Sequence, residues 1–273
     1  MSKFRTLEIS DIRFESNNLR FMTVKTSNLK GRGDICVFVP PSIKKDDVVP
    51  VVILLHGVYG SAWSWALGTG VHLQAMKMIE QGEIPPTIIA MPSDGLWGDG
   101  SAYLPHNGYD FEKWIADDVV ESLIETIDGV SSSSPLFISG LSMGGFGALR
   151  IGAKYGHKFK GISAHSSITS LEQMKLFVEE EIHQYRQHSG IDEDVFEMIK
   201  KYREQLPPLR FDCGTGDLLI EHNRKLHQLL TAQGIEHIYK ENPGEHEWPY
   251  WEKHIGDSLR FFEDILRSAR VLS

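Results

Sequence analysis

The sequence predicts an α/β protein: a mostly parallel central sheet with antiparallel N-terminal strands and helices on both faces. Three observations predict it. Residues 4–40 read as β-structure with no helical spacing. Beyond residues 44–46, short and continuously apolar runs alternate with helical periodicity, the signature of strands buried on both faces. One of those runs then passes through a glycine-flanked serine into a small-residue helix start, a strand–turn–helix unit.

Taken in order, Leu19 to Lys25 and Ile35 to Pro40 read as strands joined by a loop containing Gly31 and Gly33. Arg32-Gly33-Asp34 in that loop suits a turn, and so short a triplet carries no adhesion reading. Six core strands follow: Pro50 to Leu55, Thr87 to Met91, Leu136 to Ser139, Gly161 to Ala164, Leu209 to Cys213 and Ile235 to Lys240, at spacings that leave room for crossover helices. Ile115, Val119, Leu123 and Ile127 repeat at helical spacing, as do Leu219, Leu226 and Leu230, with Gly234 placed as a C-terminal cap. Ile255, Leu259, Phe262 and Leu266 mark a last helix. Residues 167–207 make a connection longer than a simple crossover needs, with an amphipathic stripe of Leu171, Met174, Val178, Ile182 and Tyr185. The segment reads as a small helical cap insertion, with two ordinary packing helices as the equal alternative. No repeat, low-complexity tract or linker interrupts residues 1–273, so a single domain is expected.

Composition narrows the partners. Lys and Arg number 28 against 37 Asp and Glu, a net charge of -9 that repels phosphate backbones, so nucleic acid is not an expected partner. No stretch reaches about 18 apolar residues, and no membrane span is expected. Residues 1–14 mix charged and apolar side chains rather than forming a signal peptide, and Cys36 and Cys213 are too few to staple a secreted fold, which together favour a cytoplasmic location. The 12 histidines show neither an HExxH pattern nor tight Cys/His spacing, so no metal and no cofactor is expected. A homo-oligomer is compatible with the sequence, which does not fix the oligomeric state.

The residues that carry chemistry start with Gly140-Leu141-Ser142-Met143-Gly144, a GxSxG segment between the apolar run ending near Ser139 and the helix start Gly145-Phe146-Gly147-Ala148. A serine on so sharp a turn needs tiny neighbours two residues before and after it, because larger side chains collide across the turn. A glycine-rich turn with an idle serine is the plain alternative. A serine hydroxyl needs a base, and imidazole, with an ordinary pKa of about 6.5, is suited to that task near neutrality. In this arrangement the partners follow in the order serine, acid, histidine, which points past the last core strand to His246 in Gly244-Glu245-His246-Glu247-Trp248. His237 on the strand and His254 on the next helix read as packing residues. The acid belongs after the preceding strand. Asp217 lies past the glycine turn and is preferred over Asp212, which is still within the strand, although Asp217 also suits a helix N-cap. Two amides are needed for a developing oxyanion, each worth about 3 kcal/mol when preorganised. The Met143 N–H follows the serine, and the Val58 N–H is offered by the HGxxG segment His56-Gly57-Val58-Tyr59-Gly60, in which His56 reads as ordering the loop.

With these residues in place, the chain resembles the esterase D-like group of α/β-hydrolases, on the segments LLHGVYGSAWSW, FISGLSMGGFGALR, CGTGDLL and GEHEWPYW. The resemblance implies hydrolysis of carboxylic esters through an acyl-enzyme, carried by Ser142, Asp217 and His246 with the Val58 and Met143 amides as oxyanion hole. S-formylglutathione hydrolases of this group carry a cysteine in the oxyanion loop and a histidine in the elbow helix. Here Tyr59 to Ser61 and Phe146 stand in those places, which weighs against that activity. Tyr59, Trp97, Tyr103 and Trp248 are the expected substrate-binding residues, with flat rings suited to sugar faces or aryl groups, whereas Trp65 and Trp251 read as packing. Asp99 and His106 read as a solvated loop or as partners of a sugar hydroxyl. The expected substrates are small-molecule esters with short acyl chains, acetyl groups on sugars or small aryl and feruloyl esters. S-formylglutathione hydrolase, siderophore-type esterase or acyltransferase activity with the same triad is the alternative, and a catalytically silent hydrolase-fold binding protein is the alternative of another class.

Overall fold

The computed structural model describes residues 2–271. A nine-stranded sheet comprises β1 (Thr6–Ile9), β2 (Leu19–Thr26), β3 (Gly31–Phe38), β4 (Val51–Leu55), β5 (Ile88–Pro92), β6 (Leu136–Leu141), β7 (Phe159–His165), β8 (Leu209–Gly214) and β9 (Ile238–Asn242). Its spatial order is β1-β2-β3-β5-β4-β6-β7-β8-β9. The first three strands and the β3/β5 pair run antiparallel, and every pair from β5 through β4 to β9 is parallel. This is the expected mixed sheet with an antiparallel opening, and the six expected core strands are β4 to β9, except that β9 starts at Ile238 rather than Ile235 and so leaves His237 just before it.

Local chemistry follows the topology. All residues of β4 and β5 are buried, because helices cover both faces and leave no side for alternating polar residues. One face carries α1 (Ser64–Thr69), α2 (Val71–Glu80) and the C-terminal α7 (Trp248–Val271), which share a core with Val52, Leu54 and Phe137. The other carries α3 (residues 111–126, π-helical at Trp114–Val119), α4 (Met143–Lys154), α5 (Val195–Lys201) and α6 (Ile220–Ala232), around Ile53, Leu55 and Ile138. By contrast β2 alternates buried and more exposed positions. As expected, α6 ends beside Gly234 (φ 63°), where the Gly234 N–H donates to Thr231 O and the Ile235 N–H to Leu230 O.

Several expectations are corrected. Gly31 and Gly33 lie within β3 rather than in a loop, so Arg32-Gly33-Asp34 is strand and not turn. A Cβ on Gly33 would come within 2.5 Å of the Trp114 ring, so the indole takes the space a side chain would fill. The antiparallel opening has a further strand, β1, which pairs with β2. Residues 167–207, read as a helical cap or two packing helices, fold as 3-10 turns at Leu171–Leu176, Ile182–Tyr185 and Gly190–Glu193, then α5 and a last 3-10 turn at Arg203–Gln205. Leu171, Met174 and Tyr185 of the stripe are buried, and Arg150 Nε donates to Asp192 O (2.6 Å), tying the segment to α4.

Candidate active site

Because β4, β6, β8 and β9 are parallel, the loops that follow them emerge at one edge of the sheet, and that edge collects residues far apart in sequence. β6 ends at Leu141 and α4 begins at Met143, so Ser142 makes the turn alone, at φ 53° and ψ -118°. An L-residue holds such a conformation only when its surroundings impose it. Here the Ser142 N–H donates to His165 O (3.0 Å), and its carbonyl accepts from the N–H groups of Phe146 (3.1 Å) and Ile168 (3.2 Å). Space explains the flanking glycines. A Cβ on Gly140 would lie 2.3 Å from Gly144 O, and one on Gly144 would lie 2.3 Å from Leu55 O.

The imidazole of His246 bridges the other two candidates. Its Nε2 lies 3.0 Å from Ser142 Oγ, and its Nδ1 lies 2.9 Å and 3.1 Å from the two oxygens of Asp217. With Nδ1–H donating to the carboxylate, Nε2 is left to accept the serine proton. Burial pushes the Asp217 carboxyl up, but the hydrogen bond and charge of His246 and the Leu219 N–H outweigh it and hold the group below the ordinary carboxylate value. Asp217 Oδ1 also accepts the Leu219 N–H (2.8 Å), a local bond in the turn before α6; the N-cap of that helix is Leu219, with no side-chain cap, so the expected capping role of Asp217 is not found. Two rings orient the imidazole: Phe177 stacks on it at 5.4 Å and Trp251 meets it edge-on at 5.1 Å. Phe177 escaped the sequence reading because its neighbour Val178, not Phe177, fits the helical stripe.

The loop after β4 approaches from the other side. A Cβ on Gly57 would lie 2.8 Å from Leu141 Cδ1 and one on Gly60 2.3 Å from His56 Nδ1, so both glycines of HGxxG sit where a side chain would crowd its neighbours. His56 orders the loop as expected: Nδ1–H donates to Gly57 O (2.7 Å) and Nε2 accepts the Asp94 N–H (3.0 Å). The loop's own bonds use the N–H groups of Tyr59, to Asp99 O (2.7 Å), and of Gly60, to Gly57 O, leaving Val58 outside them. Met143 is the first residue of α4, where an N–H has no acceptor within the helix and the dipole favours negative charge. Gly100 backs both candidates: a Cβ there would lie 2.5 Å from Met143 Sδ and 3.5 Å from Val58 Cγ1.

The rim divides the expected aromatic residues. Tyr59 is 66% exposed and Trp248 37%, and Trp97 is half-buried against His106 and Tyr185. Tyr103 is a correction: it is fully buried, and its hydroxyl donates to His56 O (3.0 Å), so it supports the loop from beneath rather than facing a substrate. His106 is likewise buried, its Nε2–H donating to Ser101 O, and Asp99 accepts the Glu179 N–H, so neither is a free sugar partner. Trp65 and Trp251 are buried as expected. Asp212 is fully buried too, and faces His165 rather than His246.

Comparison with known proteins agrees with this architecture. Residues 26–262 match the model of a family described as "Putative esterase". In sequence the chain is similar to an acetyl esterase of Caldicellulosiruptor saccharolyticus, 26% identical over 230 residues, covering 78% of this chain and 82% of that protein. In fold it is similar to a ferulic acid esterase, with a TM-score of 0.79 at 22% identity, covering 96% of this chain and 99% of that one. It is also similar to the S-formylglutathione hydrolase FrmB of Staphylococcus aureus, with a TM-score of 0.75 at 18% identity, covering 93% and 98%. The chain therefore belongs to this esterase family of α/β-hydrolases and is a hydrolase of carboxylic esters.

Proposed function

We propose that Ser142, His246 and Asp217 are the catalytic triad of a serine esterase acting on short acyl esters, acetyl groups on sugars or small aryl esters. The observation that carries the reading is the single imidazole within 3.0 Å of the serine oxygen and 2.9 Å of the carboxylate. Ser142 Oγ attacks the ester carbonyl as His246 Nε2 takes its proton. The Val58 and Met143 amides receive the oxyanion. The tetrahedral intermediate collapses, His246 passes the proton to the departing alcohol, and the acyl group stays on Ser142. Water then enters, loses a proton to His246 and releases the acid by the same steps in reverse. Asp217 holds the Nδ1–H tautomer throughout and stabilises the imidazolium as it forms.

The similarity to an acetyl esterase supports the short acyl group. The exposed rings of Tyr59 and Trp248, with half-buried Trp97, support a planar or sugar alcohol on the open side. The buried free thiols Cys36 and Cys213 fit a reducing compartment. The test is a hydrolysis panel that varies acyl length on nitrophenyl, sugar, feruloyl and glutathione-thiol leaving groups, run beside a fluorophosphonate probe. Probe attachment at Ser142 and an acetyl preference are expected. Probe attachment elsewhere refutes the triad, and a dominant glutathione thioester activity refutes the substrate class.

A further inference from the structure

Behind the site lies a second chain of polar side chains that the mechanism does not use. Asp212, His165, Arg210, Ser163 and Ser258 are buried at 3% exposure or less. His165 Nδ1 lies 3.1 Å from Asp212 Oδ1 and 3.0 Å from Oδ2, and its Nε2 lies 2.7 Å from Ser258 Oγ. Arg210 Nη2 donates to Asp212 Oδ2 (2.7 Å), while Nη1 donates to Ser163 Oγ (3.1 Å) and Ser258 Oγ (3.0 Å). The remaining donor on Asp212 Oδ1 comes from outside the sheet: the hydroxyl of Tyr250, at 2.8 Å. Burial beside Asp212 pushes that phenol far above the ordinary tyrosine value, so it remains a donor.

This cluster touches all three segments that bring the triad together. The carbonyl of His165 accepts the Ser142 N–H. Asp212 lies on β8, which leads through Gly214 to Asp217, and its carbonyl accepts the Ser166 N–H. Tyr250 lies four residues past His246, and its ring sits where a Cβ on Gly244 would be, 2.5 Å from Cδ2. Gly244 O accepts the Gly216 N–H at 2.8 Å, so the His246 loop is gripped between the turn before Asp217 and the Tyr250 ring.

We propose that Tyr250 is a positioning residue for the esterase reaction, its hydroxyl anchoring the His246 loop to the buried Asp212 so that Nε2 is held at the serine. The proposal rests on the triad reading above. A loop free to drift by a fraction of an ångström keeps its fold and its substrate contacts but loses the near-attack geometry. The test is Tyr250→Phe in the full chain, which keeps the ring against Gly244 and removes only the oxygen. Tyr250→Phe should lower kcat about tenfold or more with KM within twofold, slow fluorophosphonate labelling by the same factor, and shift the downfield proton resonance of His246 Nδ1–H. Gly244→Ala, which forces a methyl into the Tyr250 ring, is the second variant, expected to give the same kcat-only loss. Val24→Ala, in the antiparallel strands away from the site, is the control for lost stability and should keep its kcat. Unchanged kcat and His246 resonance in folded Tyr250→Phe would overturn the proposal, as would a raised KM with kcat intact. Ser142→Ala separates the two readings: if it is inactive while Tyr250→Phe is normal, the anchor alone fails, and if it is active, the triad fails.

Discussion

The described residues contain two chains of serine, histidine and aspartate, and we propose that only one of them reacts. Ser142, His246 and Asp217 meet at the edge of the sheet, and Ser258, His165 and Asp212 meet inside it. Distances do not tell them apart, since the interior histidine is closer to its serine, 2.7 Å against 3.0 Å. The difference lies in what surrounds each hydroxyl. Ser258 sits in mid-helix, fully buried, with Arg210 donating to its oxygen, so its lone pairs are occupied and no carbonyl can approach. Ser142 stands on a strained turn at a helix N-terminus, where the Val58 and Met143 amides are the proposed oxyanion donors. A nucleophile thus needs access and a waiting oxyanion site as well as a base. A buried copy of the same hydrogen bonds organises the fold instead.

The sharpest way to break this comparison is Ser142→Ala. Loss of the edge serine should lower kcat by about 10⁶-fold, the magnitude seen when a triad serine is removed in subtilisin, and should abolish fluorophosphonate labelling with the fold unchanged by circular dichroism. Labelling that persisted, at Ser258 or elsewhere, would assign the chemistry to the wrong serine. Next in size is Asp217→Asn. It keeps the shape but presents an amide where His246 Nδ1–H needs an acceptor, so the opposite tautomer is favoured and Nε2 no longer accepts the serine proton. A fall in kcat of about 10⁴-fold is expected, with KM little changed in steady-state assays.

The two aspartates also differ in what acid does to them. Burial pushes the Asp212 carboxyl up, but the charges and hydrogen bonds of His165, Arg210 and Tyr250 pull it down from 3.8 to about 2. Because the folded value lies below the unfolded one, the contribution is complete above about pH 4 and is lost as pH falls towards 2. It amounts to about 2 kcal/mol, measurable as a lower urea midpoint across that window. A midpoint flat from pH 5 to 2 would contradict an ionised Asp212 at the heart of the cluster. Asp217 shifts in the same direction and adds to the same acid-side loss.

How much of this was legible in the sequence depended on whether a function left a local pattern. Ser142 and its glycines were readable because a sharp turn excludes side chains at fixed positions, and the order of loops on a parallel sheet pointed to Asp217 and His246, which the fold brings within hydrogen-bond reach of that turn. Tyr103 was misplaced because an aromatic residue in a rim loop looks the same whether it faces a ligand or the core. Its hydroxyl had a partner, His56 O, that only folding brings near. Gly33 looked like a turn because its real constraint, the Trp114 ring, lies 81 residues away in sequence. The interior cluster was invisible for the same reason: His165, Asp212 and Tyr250 share no spacing rule, and their register is set by strand pairing and by the seat of α7.

The smallest expected effect on activity discriminates most finely between the two serines. Ser258→Ala removes the hydroxyl beside His165 Nε2, while Arg210 keeps its bonds to Ser163 and Asp212. The hydroxyl's three buried hydrogen bonds, with His165, Ser163 and Arg210, are lost together, at about 1 kcal/mol each, seen as a fall in Tm. Ser142 in that variant should still take the fluorophosphonate, because no hydrogen bond joins its turn to Ser258. Alanine in place of serine is thus expected to stop the reaction at the edge and only to loosen the fold in the interior. If Ser258→Ala abolished labelling, the interior chain would be part of the reacting machinery, and the division of labour between edge and interior would fall.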